Sequence, residues 1–113
     1  MSDLVVWGIP TCGTVKKARA WLDAHGHPHR FVDLRATPPS TSLVERWVAA
    51  FGIATMTNTA GGSYRALGEV KKGWSDADWT RAFASDPMLI KRPVIERDGA
   101  PLQVGFRDGL QTG

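Results

Sequence analysis

The 113-residue chain contains one cysteine, Cys12, so no intramolecular disulfide can form. The fold must therefore be held by packing, and the unpaired thiol indicates a reducing, cytoplasmic setting, because free thiols are oxidised in secretory compartments. The first twenty residues contain no long apolar run, only a short one at residues 4–7. We therefore expect neither a transmembrane helix nor a secretory signal, and no membrane partner.

A dense run of basic residues is also missing. The net charge is +3 and the basic side chains are spread along the chain, whereas nucleic-acid binders usually carry a basic stripe. We expect no nucleic-acid partner; a solvated basic surface and a site for an anionic ligand or partner both remain open. Without repeats or linkers, the length predicts a single domain over residues 1–113.

The first third of the chain predicts a parallel βαβ unit. Residues 4–7 are rich in β-branched side chains and predict a buried strand, and residues 30–34 predict a second. Between them a helix is predicted over residues 14–25, ended by Gly26 and Pro28. Its apolar side is formed by Val15, Ala18, Trp21 and Leu22, and Lys16, Lys17, Arg19 and Asp23 fall mostly on the opposite side.

The middle of the chain predicts helices. Ser42 and Glu45 have the spacing of a capping box and open a helix that ends at Gly52. Turns and short helical pieces are expected over residues 53–73. Ser75 and Asp78 then cap a further helix, which ends before Pro87.

The last part predicts a β-hairpin whose turn is Asp98-Gly99. Pro101 cannot donate a backbone hydrogen bond, so the final strand should begin there or lie at an edge. The order of elements predicts an α/β fold with one mixed sheet of four strands and helices packed on it.

Cys12 lies where the first strand passes into the first helix. Unpaired backbone N–H groups and the helix dipole favour an anion there, and a thiolate is such an anion. Lys16, one turn on, adds a positive charge, and Gly13 leaves the backbone open to a ligand. The alternative is that Cys12 is a small buried hydrophobe, but its place in a Gly/Pro/Thr-rich turn favours a nucleophile.

Three segments carry a resemblance to a known family. Residues 8–22 (GIPTCGTVKKARAWL) resemble the opening motif of the glutaredoxin-type arsenate reductase (ArsC) family, which includes the Spx regulators and the YffB-type proteins. Residues 90–96 (IKRPVIE) resemble its arginine–proline motif, and residues 104–106 (VGF) the end of its hairpin. The similarity covers essentially the whole chain and implies a thioredoxin/glutaredoxin-like fold with a helical insertion between strands 2 and 3.

The resemblance implies roles for particular residues. Cys12 is the predicted nucleophile, and the proline after the arginine, Pro93, is expected to be cis and to lie against the sulfur. Arg92 would point into the same pocket, as a planar donor for an oxyanion or a carboxylate; from the residues alone it reads as a surface arginine beside a strand. The predicted substrate- or glutathione-binding residues are Thr11, Gly13, Lys16, Arg92 and Pro93.

The chain also departs from the family pattern. Arsenate reductases of this type use three arginines, and only Arg92 matches, because the other two positions fall on Asn58 and Gly105. Arg65 and Arg107 lie close in sequence and are candidates to replace them. The pattern is closer to the YffB-type branch, for which the resemblance implies glutathione-dependent thiol reduction, and it weakens arsenate as the substrate.

The second departure is Val15, which stands where Spx regulators commonly carry the second cysteine of C-x-x-C. Without a resolving thiol, an adduct on Cys12 must be released by an outside thiol. Glutathione is the expected cosubstrate, with a small anionic or disulfide substrate, no bound cofactor, and glutaredoxin as a further candidate partner. Two alternatives remain: a Spx-like regulator that binds RNA polymerase without catalysis, and a family member whose thiol is structural.

Two other patterns are weaker. His25, His27 and His29 alternate as metal ligands can, but they lack nearby carboxylate or cysteine partners, so a surface turn without metal is expected. The glycine-rich residues 59–63 lack a phosphate-loop lysine and predict a flexible turn that could border the site.

Overall fold

The computed structural model describes residues 3–111 of the chain. These residues fall into two compact units: residues up to Leu34 together with those from Arg92 onward form the sheet unit, and Arg35–Lys91 form the helical unit. The single-domain interpretation stays a prediction. No helix within residues 3–111 is long and apolar enough to cross a membrane.

The sheet unit consists of four strands and one long helix: β1 (Leu4–Gly8), α1 (Gly13–Ala24), β2 (His29–Asp33), β3 (Val94–Arg97) and β4 (Ala100–Val104). Its strands form one sheet in the order β2-β1-β3-β4. The pair β1 and β2 is parallel, whereas β3 is antiparallel to both β1 and β4. The predicted βαβ unit, hairpin and mixed four-stranded sheet are thereby confirmed.

The helix α1 packs on this sheet through a cluster of buried apolar side chains: Leu4, Val6, Val15, Leu22 and Ile95. Leu4 and Val6 lie two residues apart and share one face of β1, while Val15 and Leu22 are seven apart and share one side of α1. Burying a side chain of this size contributes about 1.5–3 kcal/mol. The cluster therefore determines where the start of α1 lies relative to the strands.

The hairpin between β3 and β4 has the predicted turn. Asp98 and Gly99 both have positive φ, 52° and 80°, the conformation that matches a two-residue turn to the twist of a β-hairpin. The Asp98 carboxylate accepts a hydrogen bond from the backbone N–H of Asp3 at 2.7 Å. Pro101 lies in β4, an edge strand of the sheet, as its missing N–H predicts.

The helical unit lies between β2 and β3 in the chain, which confirms the predicted insertion. It comprises α2 (Thr41–Phe51), α3 (Ile53–Met56), α4 (Gly62–Leu67), α5 (Asp76–Ser85) and two 3₁₀ helices, Gly68–Gly73 and Pro87–Leu89. The helices α2 and α5 pack together, and Trp47 of α2 and Phe83 of α5 are completely buried. Because α4 begins at Gly62, only residues 59–61 of the glycine-rich segment form the turn predicted there.

The predicted start of α2 is wrong by two residues. The N-cap is Ser40, whose Oγ accepts a hydrogen bond from the backbone N–H of Leu43 at 3.1 Å, and Ser42 lies inside the first turn. Ser40 follows Pro39 directly and is the first residue after the two prolines that can cap a helix, so the helix starts there. Gly52 ends α2 as predicted, with a φ of 82°.

The predicted capping box at the start of α5 is confirmed. The Ser75 hydroxyl oxygen accepts from the Asp78 N–H at 3.2 Å, and the Asp78 carboxylate accepts from the Ser75 N–H at 2.9 Å. The Ser75 backbone N–H, the Ser75 hydroxyl and the neighbouring Arg81 lower the pKa of Asp78 below its ordinary value of 3.8. The charged form of Asp78 therefore stabilises the folded state.

This shift predicts a specific loss of stability in acid. Because the folded-state pKa is the lower one, the contribution of Asp78 is complete above the unfolded-state value and is lost as the pH falls through the folded-state value. Asp78→Asn should lower the free energy of unfolding at neutral pH and flatten its decline as the pH falls through and below 3.8. Urea titrations followed by circular dichroism measure both, and parallel pH profiles for the two proteins would contradict the assignment.

Candidate active site

The end of β1 and the start of α1 lie in close contact at Gly8. A Cβ atom at this position would lie 2.6 Å from Cγ2 of Val15, so only glycine permits the approach. In the turn that follows, the Cys12 N–H donates to the carbonyl of Ile9 at 3.1 Å. Ile9 is buried and Pro10 is exposed. The turn thus leads from sheet to helix over a few residues, with Cys12 at the junction, where the sequence predicts it.

Cys12 is the N-cap residue of α1, with φ −76° and ψ 123°. Its carbonyl accepts the N–H of Lys16 at 3.0 Å, while the N–H groups of the first turn have no partner within the helix. Within residues 3–111 the Cys12 side chain makes no capping hydrogen bond, and the first turn of α1 carries no acidic residue. The sulfur therefore lies at the positive end of a helix dipole, where a negative charge is stabilised.

The Cys12 side chain is half-buried. It packs against the cluster on which α1 rests, while its neighbours Thr11 and Gly13 are exposed. Apart from its chain neighbours and the nearby backbone of α1, a Cβ atom at Gly13 would meet no described atom within 4 Å, so the space beside this residue is open. This environment suits a thiol approached from solvent better than a fully buried small hydrophobe.

The segment Arg92–Pro93 lies at the same end of the sheet as the Cys12 turn. Trp7 pairs with Val94 in the antiparallel ladder of β1 and β3, so the residues before β3 lie beside the end of β1. The Arg92–Pro93 peptide bond is cis, as the resemblance implies. Pro93 is buried and Arg92 half-buried. The topology brings Cys12, Arg92 and Pro93 to one sheet end, and their roles in binding stay predictions.

Asn58 and Gly105 occupy the two positions at which the family pattern has its other arginines. Asn58 belongs to the helical unit, whereas the N–H of Gly105 donates to the Pro93 carbonyl at 2.8 Å. Of the candidate replacements, Arg65 belongs to the helical unit and its Nη1 donates to the Ala60 carbonyl at 2.9 Å. Arg107 is exposed and follows Gly105 by two residues. Arg107 therefore lies near the sheet end that carries Cys12, and its participation stays a prediction.

The three histidines after α1 take part in packing. The ring of His25 stacks on Trp21 with 3.9 Å between centroids, and His27 stacks on the same ring at 5.7 Å. The side chain of His29 is 4% exposed, and its Nε2 accepts a hydrogen bond from Nε of Arg19 at 3.3 Å. No group of three potential metal ligands occurs within residues 3–111. These contacts assign the histidines to the packing around α1 and β2.

A groove that the sequence patterns above do not predict runs along α1 from the Cys12 turn. It has a volume of about 290 Å³ and is lined by Pro10, Val15, Lys16, Arg19, Ala20 and Asp23. A signal for it exists in the sequence, because Lys16, Arg19 and Asp23 follow Cys12 at i+4, i+7 and i+11, which places all four on one stripe of the helix. Hydrophobic periodicity alone assigns the three charged residues to solvent.

The family model for the ArsC family matches residues 7–109 of the chain. Among solved structures, a YFFB protein is 38% identical with a TM-score of 0.83, and the match covers 92% of this chain and 91% of that one. A possible arsenate reductase from Streptococcus mutans UA159 is 35% identical with a TM-score of 0.85, covering 94% and 92%. Both have the fold described above.

Similar proteins known by sequence fall into different functional classes. The uncharacterized protein YusI of Bacillus subtilis (strain 168) is 34% identical over 110 residues, which cover 94% of this chain and 92% of YusI. The arsenate reductase of Yersinia enterocolitica is 25% identical over 97 residues, covering 84% of this chain and 69% of that enzyme. The global transcriptional regulator Spx of Lactococcus lactis subsp. cremoris (strain MG1363) is 24% identical over 107 residues, covering 93% and 80%.

Proposed function

The chain belongs to the ArsC family, and we propose that it is a glutathione-dependent thiol reductase with Cys12 as the nucleophile. The observation that carries this proposal is the place of the chain's single cysteine, half-buried at the N-cap of α1. A thiolate there can attack a substrate, but a solitary thiol needs an external thiol to regenerate it. Glutathione supplies that thiol in the reducing cytoplasm, where we place the reaction.

The proposed reaction with a disulfide has two exchange steps. The Cys12 thiolate attacks one sulfur of R–S–S–R′, the S–S bond breaks, and R′–S⁻ leaves and takes up a proton. A glutathione thiolate then attacks the R-side sulfur of the Cys12–S–S–R adduct, which releases Cys12 as thiolate and forms G–S–S–R. Glutathione provides the electrons, so the reaction requires no bound cofactor. Glutaredoxin is a further candidate for the second step.

The residues around Cys12 have distinct parts in this proposal. The start of α1 and Lys16 stabilise the thiolate both when it attacks and when it leaves. Arg92 orients an anionic group of the substrate or a carboxylate of glutathione, because its planar fork can make two parallel hydrogen bonds. Thr11, Gly13 and Pro93 border the space in which the sulfur reacts.

Arsenate is the competing substrate within the same mechanism. Its reduction balances as one arsenate and two glutathione molecules giving arsenite, oxidised glutathione and water. With Asn58 and Gly105 at two arginine positions of the family pattern, the chain offers fewer cations for the anionic oxygens of arsenate. We therefore favour a disulfide substrate.

A glutathione-coupled turnover assay on a panel that contains arsenate and mixed disulfides tests the proposal, with Cys12→Ser as the negative control. We expect turnover with disulfides, little or none with arsenate, and none in the variant. Turnover with arsenate alone would replace the substrate class. Absence of turnover with every substrate and thiol would overturn the proposed function.

The second candidate function is a regulator that binds RNA polymerase, favoured by the 24% identity to Spx over 93% of the chain. Val15 stands in place of the second cysteine of C-x-x-C, so such a regulator would lack the disulfide switch. Binding of the purified chain to the polymerase α-subunit, together with no glutathione-dependent turnover, would support this function over the reductase.

A further inference from the structure

One stripe of α1 connects Cys12 to a groove with a defined sequence of charges. Lys16, Arg19 and Asp23 line the groove at one, two and three turns from Cys12. Pro10, in the turn before Cys12, borders its near end. A ligand whose thiol lies at Cys12 can therefore extend along the helix and meet two positive charges and then a negative one.

The side chain of Arg19 is held in place by two residues of β2. Its Nε donates to Nε2 of His29 at 3.3 Å, and its guanidinium carbon lies 4.5 Å above the centroid of the Phe31 ring. Within residues 3–111 no carboxylate forms an ion pair with Arg19. The terminal N–H groups of a fixed guanidinium can bind a carboxylate with little loss of side-chain entropy.

The other two charged residues of the groove, Lys16 and Asp23, lie on either side of Arg19 along α1. Lys16 is exposed near Cys12, and Asp23 is exposed at the far end of the groove, with its carboxylate 3.9 Å from Nδ1 of His29. Seven residues separate Cys12 from Arg19, which corresponds to about 10 Å along a helix. In glutathione eight bonds join the central sulfur to the α-carboxylate of the γ-glutamyl residue and span about 10 Å when extended, so this carboxylate can reach Arg19 while the sulfur lies at Cys12.

Resting on the proposed function, we propose that this groove binds the γ-glutamyl end of glutathione. Its α-carboxylate pairs with Arg19 and its ammonium group with Asp23, while its sulfur reaches Cys12. The γ-glutamyl end carries both charges on one carbon, which matches an arginine and an aspartate one helical turn apart. The groove thereby selects glutathione over thiols that lack a γ-glutamyl group.

Steady-state kinetics with two thiols test this assignment. Cysteinylglycine is glutathione without the γ-glutamyl residue, so it serves as the matched cosubstrate. We expect Arg19→Gln to raise the KM for glutathione about tenfold and Asp23→Asn about threefold, with little change in kcat. Neither variant should change the KM for cysteinylglycine. Lys17→Gln, which removes an exposed cation from another side of α1, should leave both values unchanged.

A binding measurement tests the groove without relying on enzymatic turnover. Titration with S-methylglutathione, followed by backbone amide shifts, should perturb residues 16–23 in the native protein, and Asp23→Asn, at an exposed position, should raise the dissociation constant about threefold. Turnover with equal KM values for both thiols, unaltered in Arg19→Gln and Asp23→Asn, would overturn the groove assignment and leave the reductase function standing. Specific shifts without turnover of any thiol would support the groove and overturn the reductase function.

Discussion

Cys12→Ser is expected to reduce glutathione-dependent turnover at least about a thousandfold, the largest effect of any single substitution we predict. A serine hydroxyl remains protonated near neutral pH, so the helix dipole at the start of α1 has no anion to stabilise and no nucleophile forms. A thousandfold loss corresponds to about 4 kcal/mol of activation free energy. The measurement is the initial rate at saturating glutathione and disulfide.

Labelling of the thiol provides the control for this prediction. Since Cys12 is the only cysteine, iodoacetamide must modify the native chain once and the variant not at all. We expect the thermal midpoint to change little, because serine is nearly isosteric and the position is half-buried. Retention of more than a tenth of the turnover in Cys12→Ser would show that the thiol is structural.

Several elements of the fold are predictable because short stretches of sequence encode them. Asp98-Gly99 can adopt the two positive φ values of a tight hairpin, and the Ser75–Asp78 pair can cap a helix with its own hydrogen bonds. The cap of α2 shows the limit of this reasoning. Ser40 and Ser42 are both good caps, and the sequence pattern does not decide between them; in the structure Ser40 has the extended backbone of an N-cap and accepts the Leu43 N–H.

The assembly of the sheet end cannot be derived from local pattern. Cys12 and Arg92 are eighty residues apart, and only the antiparallel register of Trp7 with Val94 brings their segments to the same end. Four strands can be ordered in several ways, so the arrangement and the cis bond at Pro93 were accessible through the resemblance and not through periodicity. The resemblance, in turn, says nothing about residues in which this chain departs from its family.

The environment of Arg19 could be predicted neither from local sequence patterns nor from the family resemblance. Helical spacing places Arg19 on the stripe of Cys12, but the partners that fix it, His29 and Phe31, belong to β2. Which strand side chains support it depends on how α1 packs on the sheet, a tertiary property. The charged stripe can therefore be found by helical spacing, whereas the support of Arg19 by β2 could be recognised only once that packing was known.

Arg92→Gln is expected to lower kcat/KM for an anionic disulfide by about ten- to a hundredfold. A hydrogen bond between charged groups contributes about 1.5–3 kcal/mol, which corresponds to that range. Arg92→Lys should lie between the native protein and Arg92→Gln, because lysine keeps the charge and loses the planar fork. A neutral disulfide such as 2-hydroxyethyl disulfide should show little difference among the three proteins, since it has no anion for Arg92 to orient.

Two further measurements separate the role of Arg92 from the roles of the other positive groups near Cys12. The rate of Cys12 alkylation by neutral iodoacetamide should change less than about threefold in Arg92→Gln, because Arg92 is assigned to the substrate and Lys16 and the helix start to the thiolate. Arg107→Gln, made at an exposed position near the same sheet end, determines whether a second arginine participates. A loss matching that of Arg92→Gln would place Arg107 in the pocket. Unchanged kcat/KM in Arg92→Gln would instead make Arg92 a surface arginine beside β3 and leave the anionic end of the substrate to other cations.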